Sequence, residues 1–184
     1  MAVDKTDEEL LRAFAGGDRP ALAELARRYE RPLLGLCNAL LAGQSDRVAC
    51  DAVQETWVRV IRFAGSFDGR SRLKTWLYRI AINQCRSLLT ARPVLQASEQ
   101  LDDEPSGAPG PTETAQNNEL ASRVRQAIAR LSAEKRTALL LCYHVDMTHE
   151  EAAEILEIPL GTLKSRLHAA LQELRERLSA ETKS

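Results

Sequence analysis

Apolar positions recur three and four residues apart along most of this chain, and no stretch alternates as a half-buried strand would. The pattern predicts an all-α protein. Thr6 and Glu9 make a capping box ahead of Leu10, Leu11 and Phe14, and Gly16-Gly17 stops that helix. Asp18 and Pro20 start a second helix carrying Leu22, Leu25, Ala26 and Tyr29. Pro32 lacks an N–H and is expected to kink or restart it, with Gly43 ending the continuation over residues 33–41. A third helix is predicted over about residues 46–63 and a fourth over about 71–91.

Helical spacing resumes at Val124, Ile128 and Leu131, and Ser132 caps a helix through Leu139, Leu140, Leu141 and Tyr143. Thr148 and Glu151 form another capping box before Ala152, Ala153, Ile155 and Leu156. A turn over Glu157, Ile158 and Pro159 leads to a last helix opening near Gly161-Thr162. At about 100° per residue, Leu163, Leu167, Ala170, Leu171, Leu174 and Leu178 share one side of it. Lys164, Ser165, His168 and Gln172 take the other side, with Arg166 at a flank. Hydrogen-bonding side chains at the N-terminal end of a second helix are where a recognition helix meets base edges. The same residues taken alone also describe a helical hairpin with a solvated polar face.

Between these helical blocks the composition changes. Residues 93–122 hold six acids (Glu99, Asp102, Asp103, Glu104, Glu113 and Glu119), no Lys or Arg, and four of the seven prolines. Such a stretch buries too little apolar surface to offset its ordering entropy, so a flexible linker is expected. The chain then divides into a helical domain at 1–92, an acidic linker at 93–118 and a second helical domain at 119–184.

Formal net charge is −1, so nucleic-acid binding would have to come from local basic patches. No run reaches the 18 or so apolar residues of a membrane span, and the acidic N-terminus has no apolar signal core. A cytoplasmic protein without membrane insertion is expected. Cys37, Cys50, Cys85 and Cys142 are scattered without a Cys-x-x-Cys pair and read as small hydrophobes or free thiols. A zinc site joining one of them to His144 or His149 lacks ligand spacing. No paired carboxylate, nucleophile-base set or phosphate loop stands out, so neither a catalytic site nor a cofactor is expected.

A local basic patch is present. Residues 59–92 carry eight basic side chains against the single acid Asp68. On the fourth helix Leu73, Leu77, Ile80, Ala81 and Leu88 form an apolar stripe. Arg72, Trp76, Arg79, Asn83 and Arg86 form another, within roughly 80° of arc. Cations that track phosphates, a ring that stacks and an amide that reads a base edge are what single-stranded DNA requires. The loop Phe67-Asp68-Gly69-Arg70-Ser71 could wall a pocket for an unstacked base. The plainer alternative is a tryptophan plugging a core edge among solvated arginines.

On the third helix Asp51, Gln54 and Glu55 stand at i, i+3 and i+4 and share a face. Val53, Trp57, Val60 and Ile61 are expected to pack inward. The polar patch would suit a basic protein partner or be an ordinary solvated face.

Together these segments resemble a bacterial sigma factor of the small, two-domain extracytoplasmic-function (ECF) group of the sigma-70 family. Asp51-Ala-Val-Gln-Glu-Thr-Trp57 is similar to the core-polymerase-binding segment, implying docking on the polymerase clamp through Asp51, Gln54 and Glu55. Residues 67–83, ending Lys-Thr-Trp-Leu-Tyr-Arg-Ile-Ala-Ile-Asn, resemble the segment that melts and reads the −10 element. The resemblance puts Phe67, Arg70, Arg72, Lys74, Trp76, Arg79, Asn83 and Arg86 on that DNA. Gly161-Thr-Leu-Lys-Ser-Arg-Leu167 is similar to the −35-reading helix, implying Thr162, Lys164, Ser165, Arg166 and His168 as contacts. Core RNA polymerase, promoter DNA and an anti-sigma factor are the implied partners, and the linker is implied to thread the RNA-exit path.

Four departures from the family pattern stand out. Ser87 replaces a usual Asp, Thr90-Ala91-Arg92 stands where a dense Arg run is usual, Glu157 stands where a turn glycine is common, and Ala169-Ala170 replace frequent basic residues. The competing readings are a stand-alone helix-turn-helix regulator and a helical interaction protein. The first would carry a sensor or dimerisation domain, and the second an acidic first block; the basic-aromatic helix fits neither.

Overall fold

The computed structural model describes residues 5–91 and 115–181, and every regular element among them is helical. α1 (Asp7–Ala15) opens on the expected capping box: Thr6 Oγ1 accepts from Glu9 N at 3.2 Å and Glu9 Oε2 from Thr6 N at 2.8 Å. Gly17 takes φ +103°, a conformation open to glycine, and turns the chain into α2 (Arg19–Leu40). α3 (Asp46–Phe63) ends in a single 3-10 turn (Ala64–Ser66), and α4 (Leu73–Ala91) follows.

Pro32 neither stops nor restarts α2, which runs through it as one helix. An interior proline costs about 3 kcal/mol, through its missing N–H and the clash of its ring with the carbonyl four residues back. Leu33 and Leu36, fully buried just beyond it, anchor the continuation, which ends near Leu41, before Gly43. Leu25, Leu33 and Leu36 of α2 share a core with Val53 and Val60 of α3 and with Leu73, Leu77, Tyr78 and Ile82 of α4. Burial of side chains this size stabilises by about 1.5–3 kcal/mol each.

The edge of this core is tied by charge. Arg28 pairs with Asp7 and with Glu24, both at 2.9 Å, and Tyr29 donates to the same Asp7. Glu8 of α1 accepts from Leu73 N at 2.9 Å, placing a carboxylate at the N-terminus of α4, where the helix dipole favours it.

The second half holds α5 (Ala115–Ala129), α6 (Ala133–Tyr143), α7 (His149–Leu156) and α8 (Leu160–Glu181). α5 begins four residues inside the span expected to be linker; the remainder of that acidic stretch lies outside the described residues. Leu131, Leu139 and Ala170 pack with Ile128 and Leu174. Lys135 of α6 meets Glu173 of α8 at 2.8 Å, and Arg177 closes on the same carboxylate at 2.6 Å.

The two helical halves pack directly on each other. α7 lies against α4 and α6 against α2, and one apolar core runs from Leu33 and Tyr78 through Leu141, Met147, Ile155 and Leu163. Gly35 of α2 lies at this joint, against the side chain of His144. A Cβ there would fall 2.9 Å from His144 Nε2. Among the described residues no helix is long and apolar enough to cross a membrane.

Candidate polymerase and nucleic-acid interfaces

α4 presents the basic-aromatic stripe as its spacing predicts. Arg72, Asn83 and Arg86 are exposed, while Lys74, Trp76 and Arg79 are half-buried. Trp76 packs against Phe67 with ring centroids 5.3 Å apart and the planes tilted by 51°. The loop before α4 turns at Gly69 (φ +70°), and Asp68 holds it by accepting from Arg70 N at 3.1 Å and pairing with Arg70 Nε at 3.0 Å. The result is a cleft of about 560 Å³ walled by Phe67, Asp68, Arg70, Ser71, Trp76 and Arg79. An aromatic pair flanked by guanidinium groups is suited to hold an unstacked base.

Glu154 also lines this cleft. Arg72 Nη1 meets Glu151 Oε1 at 3.0 Å, and Arg79 Nη2 donates to the main-chain carbonyl of Glu154 at 2.8 Å. The Glu154 carboxylate stands 4.0 Å from Arg79 Nη2, and that of Glu157 stands 3.6 Å from Arg79 Nε. Hydrogen bonding from the Thr148 backbone, with Lys74 and Arg72 nearby, holds the Glu151 carboxyl below the usual carboxylate range.

The core face of α4 is wider than the predicted stripe: Ile80 is half-buried and also lines the cleft, and Tyr78, Ile82 and Cys85 join the core. Cys85 lies beside Cys37 of α2. Their shared hydrogen bond and burial push the Cys37 thiol up.

α3 exposes Asp51, Gln54 and Glu55 on one face. Val53 and Val60 turn inward as expected, but Ile61 does not: it is 50% exposed, beside Val58 at 52%. Ile61 stands seven residues from Gln54 and three from Val58, so it shares their outward side at helical spacing. The acid-amide patch therefore continues into an apolar one. Exposed apolar side chains rimmed by polar ones are common at protein interfaces, and Val58 and Ile61 are the exposed apolar side chains that periodicity alone passed over or assigned inward.

α8 displays Lys164, Ser165 and His168 to solvent, with Thr162 and Arg166 half-buried and Leu163, Leu167 and Ala170 inside. Leu171, expected inside, is 40% exposed. It lies about 80° from Leu163 at 100° per residue, on the margin of the buried arc. The turn before α8 places Glu157 in the left-handed region (φ 56°, ψ 42°), a conformation costing a residue with a Cβ about 1 kcal/mol.

A basic-aromatic cleft and a helix-turn-helix on one all-helical scaffold define a DNA-binding transcription protein of the sigma type. The family model for sigma-70 region 2 matches residues 25–92, and that for sigma-70 region 4 matches residues 121–174. The chain is 30% identical over 175 residues to the ECF RNA polymerase sigma factor SigW of Bacillus subtilis, covering 88% of this chain and 91% of that one. It is 28% identical over 188 residues to the RNA polymerase sigma-H factor of Pseudomonas aeruginosa, covering 97% and 96%. The solved complex of CnrH with the cytosolic domain of CnrY matches at 25% identity with a TM-score of 0.73, over 96% of this chain and 99% of that one. RpoE of Bartonella quintana, bound to the anti-sigma factor NepR, matches at 25% identity with a TM-score of 0.66, over 86% and 96%. The chain belongs to the ECF group of sigma-70 RNA polymerase sigma factors.

Proposed function

We propose that this sigma factor docks on core RNA polymerase through α3, opens and reads the −10 element with α4, and reads the −35 element with α8. The observation that carries the reading is the Phe67–Trp76 pair set in a cleft with Arg70 and Arg79. In this reading residues 1–92 form the polymerase- and −10-binding domain, residues 119–184 the −35-binding domain, and residues 93–118 the linker between them.

Asp51, Gln54 and Glu55 would meet basic groups of the polymerase clamp, with Val58 and Ile61 supplying apolar contact beside them. The cleft would capture a base leaving the duplex. Extrusion costs a few kcal/mol, and stacking on an aromatic ring returns about 1–3 kcal/mol per base. Arg72, Lys74, Arg79 and Arg86 would follow the phosphates, and Asn83 would offer an amide to a base edge. At the other end Lys164, Ser165 and His168 would enter the major groove, Thr162 and Arg166 fixing register on phosphate.

With a net charge of −1 the free factor has little general attraction for DNA, so tight promoter binding would belong to the holoenzyme. An anti-sigma factor would be the natural antagonist, as NepR is described for the Bartonella quintana protein.

Site-specific photocrosslinking in the open complex tests the assignment. A crosslinker at position 76 should reach the −10 strand, and one at position 165 the −35 duplex. Exchange of the two patterns, or crosslinks to neither element, would overturn it.

A further inference from the structure

We propose that Arg59 of α3 is a further strand-binding residue, a phosphate contact at the wall of the cleft, positioned there by the buried amide of Gln84. The proposal rests on the reading of that cleft as the −10 site and adds a second helix to it.

Arg59 and Phe63 line the cleft, so α3 forms one wall of it beside Phe67, Trp76 and Arg79. The Arg59 side chain is 50% exposed. With its oxygen turned to α3, the Gln84 amide accepts from Arg59 Nη2 at 3.0 Å and also from Arg59 Nε. The opposite orientation would set amide N–H groups against a guanidinium, which has donors only. Glu55 takes the same Nε at 3.3 Å. Both partners therefore lie on Nε and Nη2, and Nη1 has no hydrogen-bond partner among the described residues. A guanidinium held on one edge and free on the other is suited to take a phosphate.

Gln84 supplies the independent observation. It is only 8% exposed, and a buried amide is costly unless it is hydrogen-bonded. The buried threonines Thr56 and Thr137 satisfy themselves on carbonyls of their own helices. Gln84 instead crosses from α4 to α3 and gives its oxygen to an arginine. An apolar side chain of similar length would fill the space without a polar group to satisfy. The amide is accounted for by the guanidinium it orients. Glu55 does not hold that guanidinium back, because the pair is half-exposed on both sides and such pairs are weak.

The test uses holoenzyme assembled from core polymerase and full-length protein. The variants are Arg59→Gln, Arg59→Lys, Gln84→Met, and Arg59→Gln combined with Gln84→Met. The probe is a labelled fork-junction promoter, recovered by run-off transcription, whose −10 non-template strand is already single. Strand binding is then read apart from melting.

Each phosphate neutralised on a single strand adds about 0.7 to the slope of log affinity against log salt. Arg59→Gln should lower the slope by that amount, so a fourfold rise in salt costs it about 2.6-fold less affinity than wild type. Arg59→Lys should keep the wild-type slope. Gln84→Met should weaken binding at least about twofold alone, and not at all in the Arg59→Gln background. An unchanged slope in Arg59→Gln, with or without lost affinity, is what a merely structural arginine would give and would overturn the phosphate contact. Additive losses would overturn the positioning role of Gln84. Failure of the −10 reading itself looks different: wild-type holoenzyme would bind the fork no better than the same DNA with its single strand removed.

Discussion

Arg79 Nη2 donates to the carbonyl oxygen of Glu154 at 2.8 Å, joining α4 to α7 across 75 residues of sequence. The bond brings the helix with the basic-aromatic stripe against the first helix of the helix-turn-helix. It also explains why Arg79 is half-buried rather than solvated.

The α3 patch should be required for polymerase binding and dispensable for folding. Asp51→Arg with Glu55→Arg reverses two exposed charges, and the only described pair lost is Glu55 with Arg59 at 3.3 Å, a solvent-exposed contact. Such pairs contribute about 0–1 kcal/mol. Co-purification with core polymerase should fall to background while the helical circular dichroism and melting temperature stay near wild type. Retained co-purification would remove these residues from the interface.

Trp76→Ala should permit promoter binding by holoenzyme but slow strand opening. Loss of a stacking partner worth about 1–3 kcal/mol predicts a fall of roughly 5- to 150-fold. Permanganate reactivity of thymines in the bubble follows the opening directly. Trp76→Phe, which keeps an aromatic face toward Phe67, should recover part of the rate, and wild-type reactivity in the alanine variant would exclude the stacking role.

Base discrimination at the −35 element should weaken when Lys164 and Ser165 are replaced by alanine, by about 1–3 kcal/mol at each contacted pair. Arg166→Ala should instead reduce binding evenly across sequences. Transcription from a randomised −35 library separates the two outcomes, and an unaltered sequence preference in the double variant would take both residues out of readout.

Glu24 makes an acid-sensitive contribution. Its side-chain bonds to Arg27 and then Arg28 hold its carboxyl at about 2 instead of 4.5. Because the folded value is the lower one, the stabilisation is fully present above pH 4.5 and is lost as pH falls toward about 2. Wild type should be more stable than Glu24→Gln at pH 7, and the difference should shrink as pH falls through the folded value and vanish below it. Chemical denaturation at a series of pH values measures it; a constant difference would deny the linkage.

The helices were readable because caps and apolar spacing are local. Thr6 with Glu9 and Thr148 with Glu151 form the boxes their spacing predicts, since each motif closes within a single turn. Pro32 misled because its local penalty is outweighed by the burial of Leu33 and Leu36. Ile61 and Leu171 misled because each lies near the border of an apolar arc, where only the shape of the neighbouring helix decides. The α4–α7 joint left no periodic trace. Arg72 and Arg79 entered the predicted basic-aromatic stripe, while Glu151 was read only as half of a capping box and Glu157 only as part of a turn. Only Glu157, standing where a glycine is common, marked the turn as unusual.

Run-off transcription tests the central claim most directly, using purified core RNA polymerase, this protein and fragmented genomic DNA. Discrete start sites that depend on the added protein, preceded by a shared pair of elements, are the predicted result. An absence of starts, with the protein alone binding duplex DNA, would contradict the account and return the chain to the class of stand-alone regulators.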